Sequence, residues 1–252
     1  MRFIDLNADL GELPSAHDAE ILPYLSSCSV ACGFHAGNPE LMRQTIRLAI
    51  NSGVEIGAHP SYHDREHFGR RTPPDYSAAQ MERELLVQIE TLREILEEEG
   101  GTLHHIKPHG ALYNDLAAGA ELSDAFARFI RAYDPDLKIY CLTDSQLLRA
   151  CREHELIAVP EGFADRAYET ANRLRSRSLD GAVLYDPAEV CAQALKLAQG
   201  KITLHNGNSQ PIRVETICLH GDTLGAVELS RSIHETLTKN GIHIASPAGH
   251  GR

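Results

Sequence analysis

The first ten residues alternate. Ile4, Leu6, Ala8 and Leu10 are apolar, while Asp5, Asn7 and Asp9 fall between them. Side chains two apart on a strand share a face, so Phe3–Leu10 is predicted as a strand with an apolar face and a polar row. Six further apolar runs read as strands: Ser29–Cys32, Val54–Ala58, Leu103–Ile106, Leu137–Leu142, Leu156–Val159 and Thr216–Leu219. Helical patterns separate most of them. Asn38-Pro39 opens a helix with Met42, Ile46, Ala49 and Ile50 on one side, and Gly53 closes it. Ser77-Ala78-Ala79-Gln80 fits a capping box ahead of the stripe Met81, Leu85, Ile89, Leu92 and Leu96. Further helices carry Phe126, Ile130 and Tyr133, then Leu147, Leu148 and Cys151 with Thr143 and Gln146 as the capping pair, then Val190, Ala194 and Leu197 after Asp186-Pro187. A last helix carries Ala226, Leu229, Ile233 and Leu237. Ile202–Val214, with Asn206-Gly207-Asn208 at its centre, reads as a hairpin, and the segments 59–76 and 160–184 read as irregular.

Seven strands, most of them feeding a helix, predict a parallel α/β domain. The length of 252 residues suits one closed barrel, and no proline- or serine-rich linker divides the chain. The expected fold is a single domain over residues 1–252, an irregular seven-stranded parallel (β/α) barrel of the kind seen in glycoside hydrolases and deacetylases. GxGxxG after the first strand and GxxxxGK[ST] anywhere are both absent, which removes the two common phosphate-binding loops.

Composition narrows the function. There are 24 basic and 35 acidic residues, a net charge of −11, which argues against nucleic acid as a partner. No apolar run approaches the ~18 residues of a membrane helix, and Met1-Arg2 leads into a strand without a charged-then-apolar leader, so a cytoplasmic protein is expected. Six scattered cysteines without a CxxC pair read as reduced thiols, with Cys28 and Cys32 leaving a thiolate zinc site conceivable. The histidine count of 14 is high and points to proton transfer or metal chemistry.

Position along the chain is more telling than number. The residues that follow the seven predicted strands are Asp9 and Glu12, His35, His59, Lys107 and His109, Asp144, Glu161, and His220 and Asp222. The C-terminal ends of parallel barrel strands converge on one mouth, where active sites form. Asp144 and Asp222 also read as helix caps. His35 lies between two glycines in Gly33-Phe34-His35-Ala36-Gly37, and His59 and Lys107 each precede a proline that holds them extended.

These same positions carry a family resemblance. DLNADLGE (5–12), VACGFHAGNP (30–39), GAHPSYHDREHFGRR (57–71), IKPHGALYN (106–114), FADRAY (163–168) and ICLHGD (217–222) resemble, in order, the signature blocks of the LamB/YcsF family of 5-oxoprolinase A subunits. Cys28, Asn38, His63 and Ala171-Asn172 depart from the family pattern. The resemblance implies a deacetylase-like barrel and ATP-dependent opening of 5-oxo-L-proline to L-glutamate, together with 5-oxoprolinase subunits B and C. A lactam is a poor electrophile, and phosphorylation of its oxygen would let water attack. On that reading Asp9 is the general base or orients water, Lys107 stabilises negative charge, and His59 or His109 relays a proton. Asp5 and Asn7 orient substrate or base, Asp5 as the deeper residue holding its neighbours in place, and Arg70, Arg71 and Arg166 are candidate anion clamps. Glu12, His35 and Asp165, within the quoted blocks, complete the candidate substrate-binding set. ATP is expected to be handled with the partner subunits. Two rival readings stand beside this one: a divalent-metal hydrolase of N-acetylated sugars with Asp9, His35 and His59 as ligands, and a non-catalytic substrate-binding subunit.

Overall fold

The alternation along the opening strand decides which way the barrel faces. In the computed structural model, which describes residues 1–247, β1 (Arg2–Leu10) puts Ile4, Leu6, Ala8 and Leu10 into the apolar layer, all nearly or fully buried. Asp5, Asn7 and Asp9 are buried as well, on the opposite face. Around β1 the parallel strands β2 (Ser27–Ala31), β3 (Glu55–His59), β4 (His105–Ile106), β5 (Lys138–Leu142), β6 (Ile157–Phe163) and β11 (Thr216–His220) follow in order. Pairing of β11 back onto β1, from Asp5↔Thr216 to Asp9↔His220, closes the seven-stranded ring. This is the predicted irregular (β/α) barrel.

Helices α1 (Ser15–Ile21), α2 (Pro39–Ser52), α3 (Ala78–Glu98), α4 (Gly110–Ala118), α5 (Ala120–Tyr133), α6 (Gln146–Glu153), α7 (Pro187–Ala198) and α8 (Ala226–Lys239) lie between the strands. Most of their start and stop signals act as read. Asn38 Oδ1 accepts from Leu41 N at 3.0 Å, and Gly53 ends α2 in the left-handed region. Ser77 caps α3, whose Met81, Leu85, Ile89, Leu92 and Leu96 are buried. The cap of α6 is Ser145, which accepts from Leu148 N, and not Thr143, whose hydroxyl bonds Arg213 O. Asp144 and Asp222 are not the capping residues of α6 and α8 either; Ser145 and Gly225 hold those places.

Several elements exceed the pattern. β3 includes His59, and β6 runs past Pro160 to Phe163, because its register with β5 continues through Cys141↔Pro160 and it then joins β11. The segment expected to be irregular after β6 contains a small hairpin of β7 (Tyr168–Thr170) and β8 (Arg173–Leu174). The predicted hairpin before the last barrel strand is present as β9 (Lys201–Thr203) and β10 (Ser209–Pro211). A last strand, β12 (Ile242–Ile244), pairs with Arg2–Ile4. Helices α1 and α4 are too short to show a sustained stripe. Among the described residues, no helix is long and apolar enough to cross a membrane.

The interior is the unusual part. Barrel interiors of this class are commonly filled by branched apolar side chains; here a hydrogen-bonded polar column fills the space. At its base Asp5 accepts from Ser26 Oγ (2.6 Å), Ser27 Oγ (2.8 Å) and Thr216 Oγ1 (2.6 Å). The His105 ring stacks on Tyr140 at 4.0 Å and meets Ser29 Oγ at 3.0 Å. Gly57 makes room for it: a Cβ there would lie 2.3 Å from the imidazole. Gly57→Ala is therefore expected to lower stability by about 1–3 kcal/mol through overpacking, read as a drop in the urea midpoint. An unchanged midpoint would contradict this placement of His105.

Candidate active site

Above that base the column becomes charged. Lys107, one residue beyond β4, reaches into the barrel and is 1% exposed. Its Nζ lies 3.0 Å from Asn7 Oδ1 and 3.1 Å from Cys218 Sγ, and forms ion pairs with Asp9 Oδ1 at 2.8 Å and Glu161 Oε1 at 3.0 Å. An ammonium has three N–H donors and four acceptors surround this one. Asp9 Oδ1 is left with the charge beside it but no donor aimed at it. Glu161 also accepts from Asn7 Nδ2 (3.0 Å) and from Tyr113 Oη (2.8 Å). Burial opposes the charge on Lys107, yet Asp9, Cys218 and Glu161 hold its pKa well above the ordinary lysine value. Burial likewise pushes the Asp9 carboxyl up, but His59 and Lys107 pull it well below the usual range.

A second cluster abuts the first. Glu12 Oε1 stands 2.9 Å from His35 Nε2, 3.3 Å from His109 Nδ1 and 3.9 Å from His59 Nε2, and His59 Nε2 is 3.4 Å from Asp9 Oδ2. Burial raises the Glu12 pKa to about 7. Burial also depresses His35 and His109 well below the usual histidine range. His59 is raised: burial works against its charge, and Asp9 and Glu12 overcome it. The loop after β3 shapes this cluster. Phe68 sits at φ +57°, a conformation uncommon outside glycine, and its carbonyl meets His109 Nε2 at 2.9 Å. Gly69 and Gly110 allow the close approach, since a Cβ on Gly110 would fall 2.4 Å from Gly69 O.

On the far side, β11 ends in His220. Its Nδ1 faces both oxygens of Asp165, at 2.9 and 3.0 Å, while Asp165 also accepts from Thr223 Oγ1 at 2.6 Å. Burial pushes the Asp165 carboxyl up, and His220 with Thr223 brings it below the usual value. A carboxylate can only accept, so Nδ1 carries a proton, and in the neutral ring the lone pair is then on Nε2.

These groups surround a cavity of about 950 Å³ lined by Asp9, Glu12, His59, Lys107, His109 and His220 among others. Six arginines also line it: Arg70, Arg149, Arg166, Arg173, Arg175 and Arg177. The concentration stands out in a chain of net charge −11, although Arg175 is paired with Glu169 at 2.6 Å. Arg70 also spans the rim to Asp222 at 2.5 Å.

The structure thus gathers Asp9, Glu12, His59, Lys107 and His109, as expected, and redistributes the rest. Asp5 and Asn7 do not line the cavity; they sit beneath it, Asp5 locked by three hydroxyls and Asn7 bracing Lys107. Their reading as substrate-orienting residues gives way to one of support. His35 and Asp165 likewise stand behind Glu12 and His220. Arg71 is exposed and absent from the cavity wall, and its backbone N–H bonds Asp64. Arg166 lines the cavity, but its guanidinium donates to Ala182 O and Arg175 O, and burial lowers its pKa to about 10. It organises the segment after β6. The metal set Asp9, His35 and His59 does not converge, since His35 is turned to Glu12 and Ser61. Among the described residues two groups could gather around one cation: Glu12, His35, His59 and His109; and Asp9, Cys218 and His220. The ammonium of Lys107 already serves Asp9 and Cys218 in the second. Cys28 and Cys32 are buried protonated thiols, Cys32 pushed up to about 12 by burial.

Fold and mouth together place the chain in the (β/α)-barrel class, with buried charged and titratable groups at the C-terminal strand ends. The chain belongs to the LamB/YcsF family, whose model matches residues 4–251. It is 41% identical to the 5-oxoprolinase A subunit of Bacillus cereus strain AH187 and 42% identical to that of a second strain of the same species, covering in each case 98% of this chain and all of the relative. A crystal structure of a lactam utilization protein from Thermus thermophilus superposes with a TM-score of 0.89 at 37% identity, over 97% of this chain and 100% of that one. The Xyl-CE4 domain of a xylanase from the hindgut metagenome of Trinervitermes trinervoides, at 13% identity and TM-score 0.52, covers 97% of this chain and 86% of that one; it shares the fold alone.

Replacing Lys107 by Met takes the ammonium from Asp9 and leaves Glu161 buried without a counter-charge. A loss of about 3–5 kcal/mol in denaturant unfolding is expected, with part recovered when Glu161→Gln is added.

Proposed function

We propose that the chain is the A subunit of an ATP-dependent 5-oxoprolinase, opening the lactam of 5-oxo-L-proline to L-glutamate with partner subunits B and C. The observation that carries this reading is the end-to-end match to proteins named as the A subunit of 5-oxoprolinase. The cavity supports it with chemistry suited to a small anionic amide. Its volume of about 950 Å³ lies within the range of small-molecule sites, and its arginine wall is suited to the substrate carboxylate and to a phosphoryl group on the lactam oxygen.

The interior groups then divide the work. His220, held in one tautomer by Asp165, takes a proton from water as that water attacks the ring carbonyl. On the O-phosphorylated lactam it returns that proton to the ring nitrogen as the C–N bond breaks, leaving an acyl phosphate from which a second water releases inorganic phosphate and the glutamate carboxylate. Asp9, anchored by Lys107 and with unmet acceptor capacity at Oδ1, orients the water or the ring N–H rather than serving as the base. The Lys107 ammonium offsets negative charge developing on the carbonyl oxygen. This replaces the assignment of Asp9 as base, because a carboxyl held well below its usual pKa is a weak proton acceptor at neutral pH. ATP is handled with the partner subunits, and the six free cysteines suit a reducing, cytoplasmic setting.

Reconstitution tests the reading: glutamate should form from 5-oxoproline and ATP only when this chain joins subunits B and C. Glutamate formation without it would remove the function. Asp165→Asn should lower kcat by about 10²-fold or more through loss of the His220 tautomer, with KM little changed and the complex still assembled. Full turnover in that variant would remove His220 as the base.

A further inference from the structure

The hydrogen bonds around the histidine cluster leave a charge-balance problem. His59 Nδ1 meets the Lys107 carbonyl at 2.7 Å, and His109 Nε2 meets the Phe68 carbonyl at 2.9 Å. A carbonyl oxygen can only accept, so both outer nitrogens carry the N–H. In the neutral rings, the inner nitrogens, His59 Nε2 and His109 Nδ1, are then bare lone pairs. They face each other at 3.0 Å. Glu12 Oε1, another acceptor, stands 3.3 Å from His109 Nδ1 and 3.9 Å from His59 Nε2. With both rings neutral and Glu12 ionised, three acceptors converge with no donor among them, an arrangement satisfied by a cation at its centre: a metal ion, or a proton on His59 Nε2, which Asp9 Oδ2 also faces at 3.4 Å.

The spacing suits a transition ion. Donors at about 2.0–2.1 Å from tetrahedral zinc stand about 3.3 Å apart, and the three separations here are 3.0, 3.3 and 3.9 Å. The rings of His59 and His109 are nearly perpendicular, at 83°, so their in-plane lone pairs can meet at one point. His35 differs. Its ring lies parallel to His109 at 3.8 Å and 6°, and two rings stacked in this way cannot aim lone pairs at the same ion. It instead meets Glu12 Oε1 at 2.9 Å, with Ser61 Oγ on its other nitrogen, and positions the carboxylate. Outer N–H groups on carbonyls and a backed carboxylate are the supports that metal ligands carry.

We propose that Glu12, His59 and His109 form a two-histidine, one-carboxylate site for a divalent transition metal ion such as Zn²⁺, with His35 as a positioning residue. All three ligands line the cavity, so a fourth position opens toward it. The site also gives a purpose to the uncommon backbone of Phe68, whose carbonyl fixes the His109 ring.

The test uses the purified full chain and needs no partner or activity assay. Elemental analysis should find about one equivalent of a transition metal, or the chelator-treated protein should take up one equivalent of Zn²⁺ and melt at a higher temperature. Co²⁺ in its place should give the intense visible bands of a four-coordinate ion. Glu12→Gln and His109→Gln should each weaken Zn²⁺ binding by at least about 100-fold, and His35→Asn by about 10-fold or more, as for outer-shell partners. His220→Gln should leave binding unchanged. Absence of metal, of a thermal shift and of the cobalt spectrum in the unmutated chain would show that a proton holds the cluster and overturn the proposal. Loss of binding in His220→Gln but not His109→Gln would move the ion to the Asp9, Cys218 and His220 group and overturn it as well. The unmutated measurements decide the matter even if a variant fails to fold.

Discussion

A lysine ammonium buried inside the barrel sets the terms for everything around it. A lone ammonium in a low-dielectric interior costs several kcal/mol, so Lys107 dictates its neighbours: two carboxylates, an amide oxygen and a thiol. Those neighbours come from β1, β6 and β11, so the charge ties distant parts of the ring together. Asn7 serves twice, accepting from Lys107 and donating to Glu161 and Thr216. The polar row on β1 is thus one side of a column that runs from the Asp5 base to the Asp9 mouth. The apolar layer is displaced outward, between strands and helices.

Two chemical compartments share that mouth. On one side Asp165 backs His220, and Lys107 with Asp9 offers fixed charges beside it. On the other, Glu12 and three histidines form an acceptor-rich cluster shaped by the strained loop at Phe68-Gly69. His59 belongs to both, 3.4 Å from Asp9 and 3.0 Å from His109. A cation in the histidine cluster would therefore be felt at Asp9 through His59. The arginines that line the cavity lie outside both.

Much of this is legible from the residues, for identifiable reasons. The period-2 pattern of β1 and the titratable residue after each strand are local signals, and the closed barrel converts them into one mouth. Capping at Asn38, Ser77 and Asp186 is equally local. What escapes depends on geometry that spacing does not encode. Glu161 and His220 are visible as strand-end residues, but the continuation of β6 past Pro160 and the pairing of His220 with Asp165, 55 residues earlier, are tertiary facts. Proline signals the end of a strand because it lacks an N–H, and only the register with β5 shows that β6 continues through it. Asp5 reads from sequence as the deeper member of the polar row, but nothing local announces the three hydroxyls from Ser26, Ser27 and Thr216 that occupy it. Arg71 stands next to Arg70 and is equivalent to it by type, yet only Arg70 lines the cavity.

The central claim is that Lys107 is a charged ammonium at the heart of the barrel, paired with carboxylates. The most direct measurement is a pH titration of the folded protein by NMR of ¹⁵N-labelled lysine Nζ, with Lys107→Arg used to assign the signal. The Lys107 signal should stay that of an ammonium throughout the range in which the fold persists, beyond the pH at which surface lysines lose their protons. A Lys107 signal that deprotonates at or below neutral pH, while the protein remains folded, would contradict it.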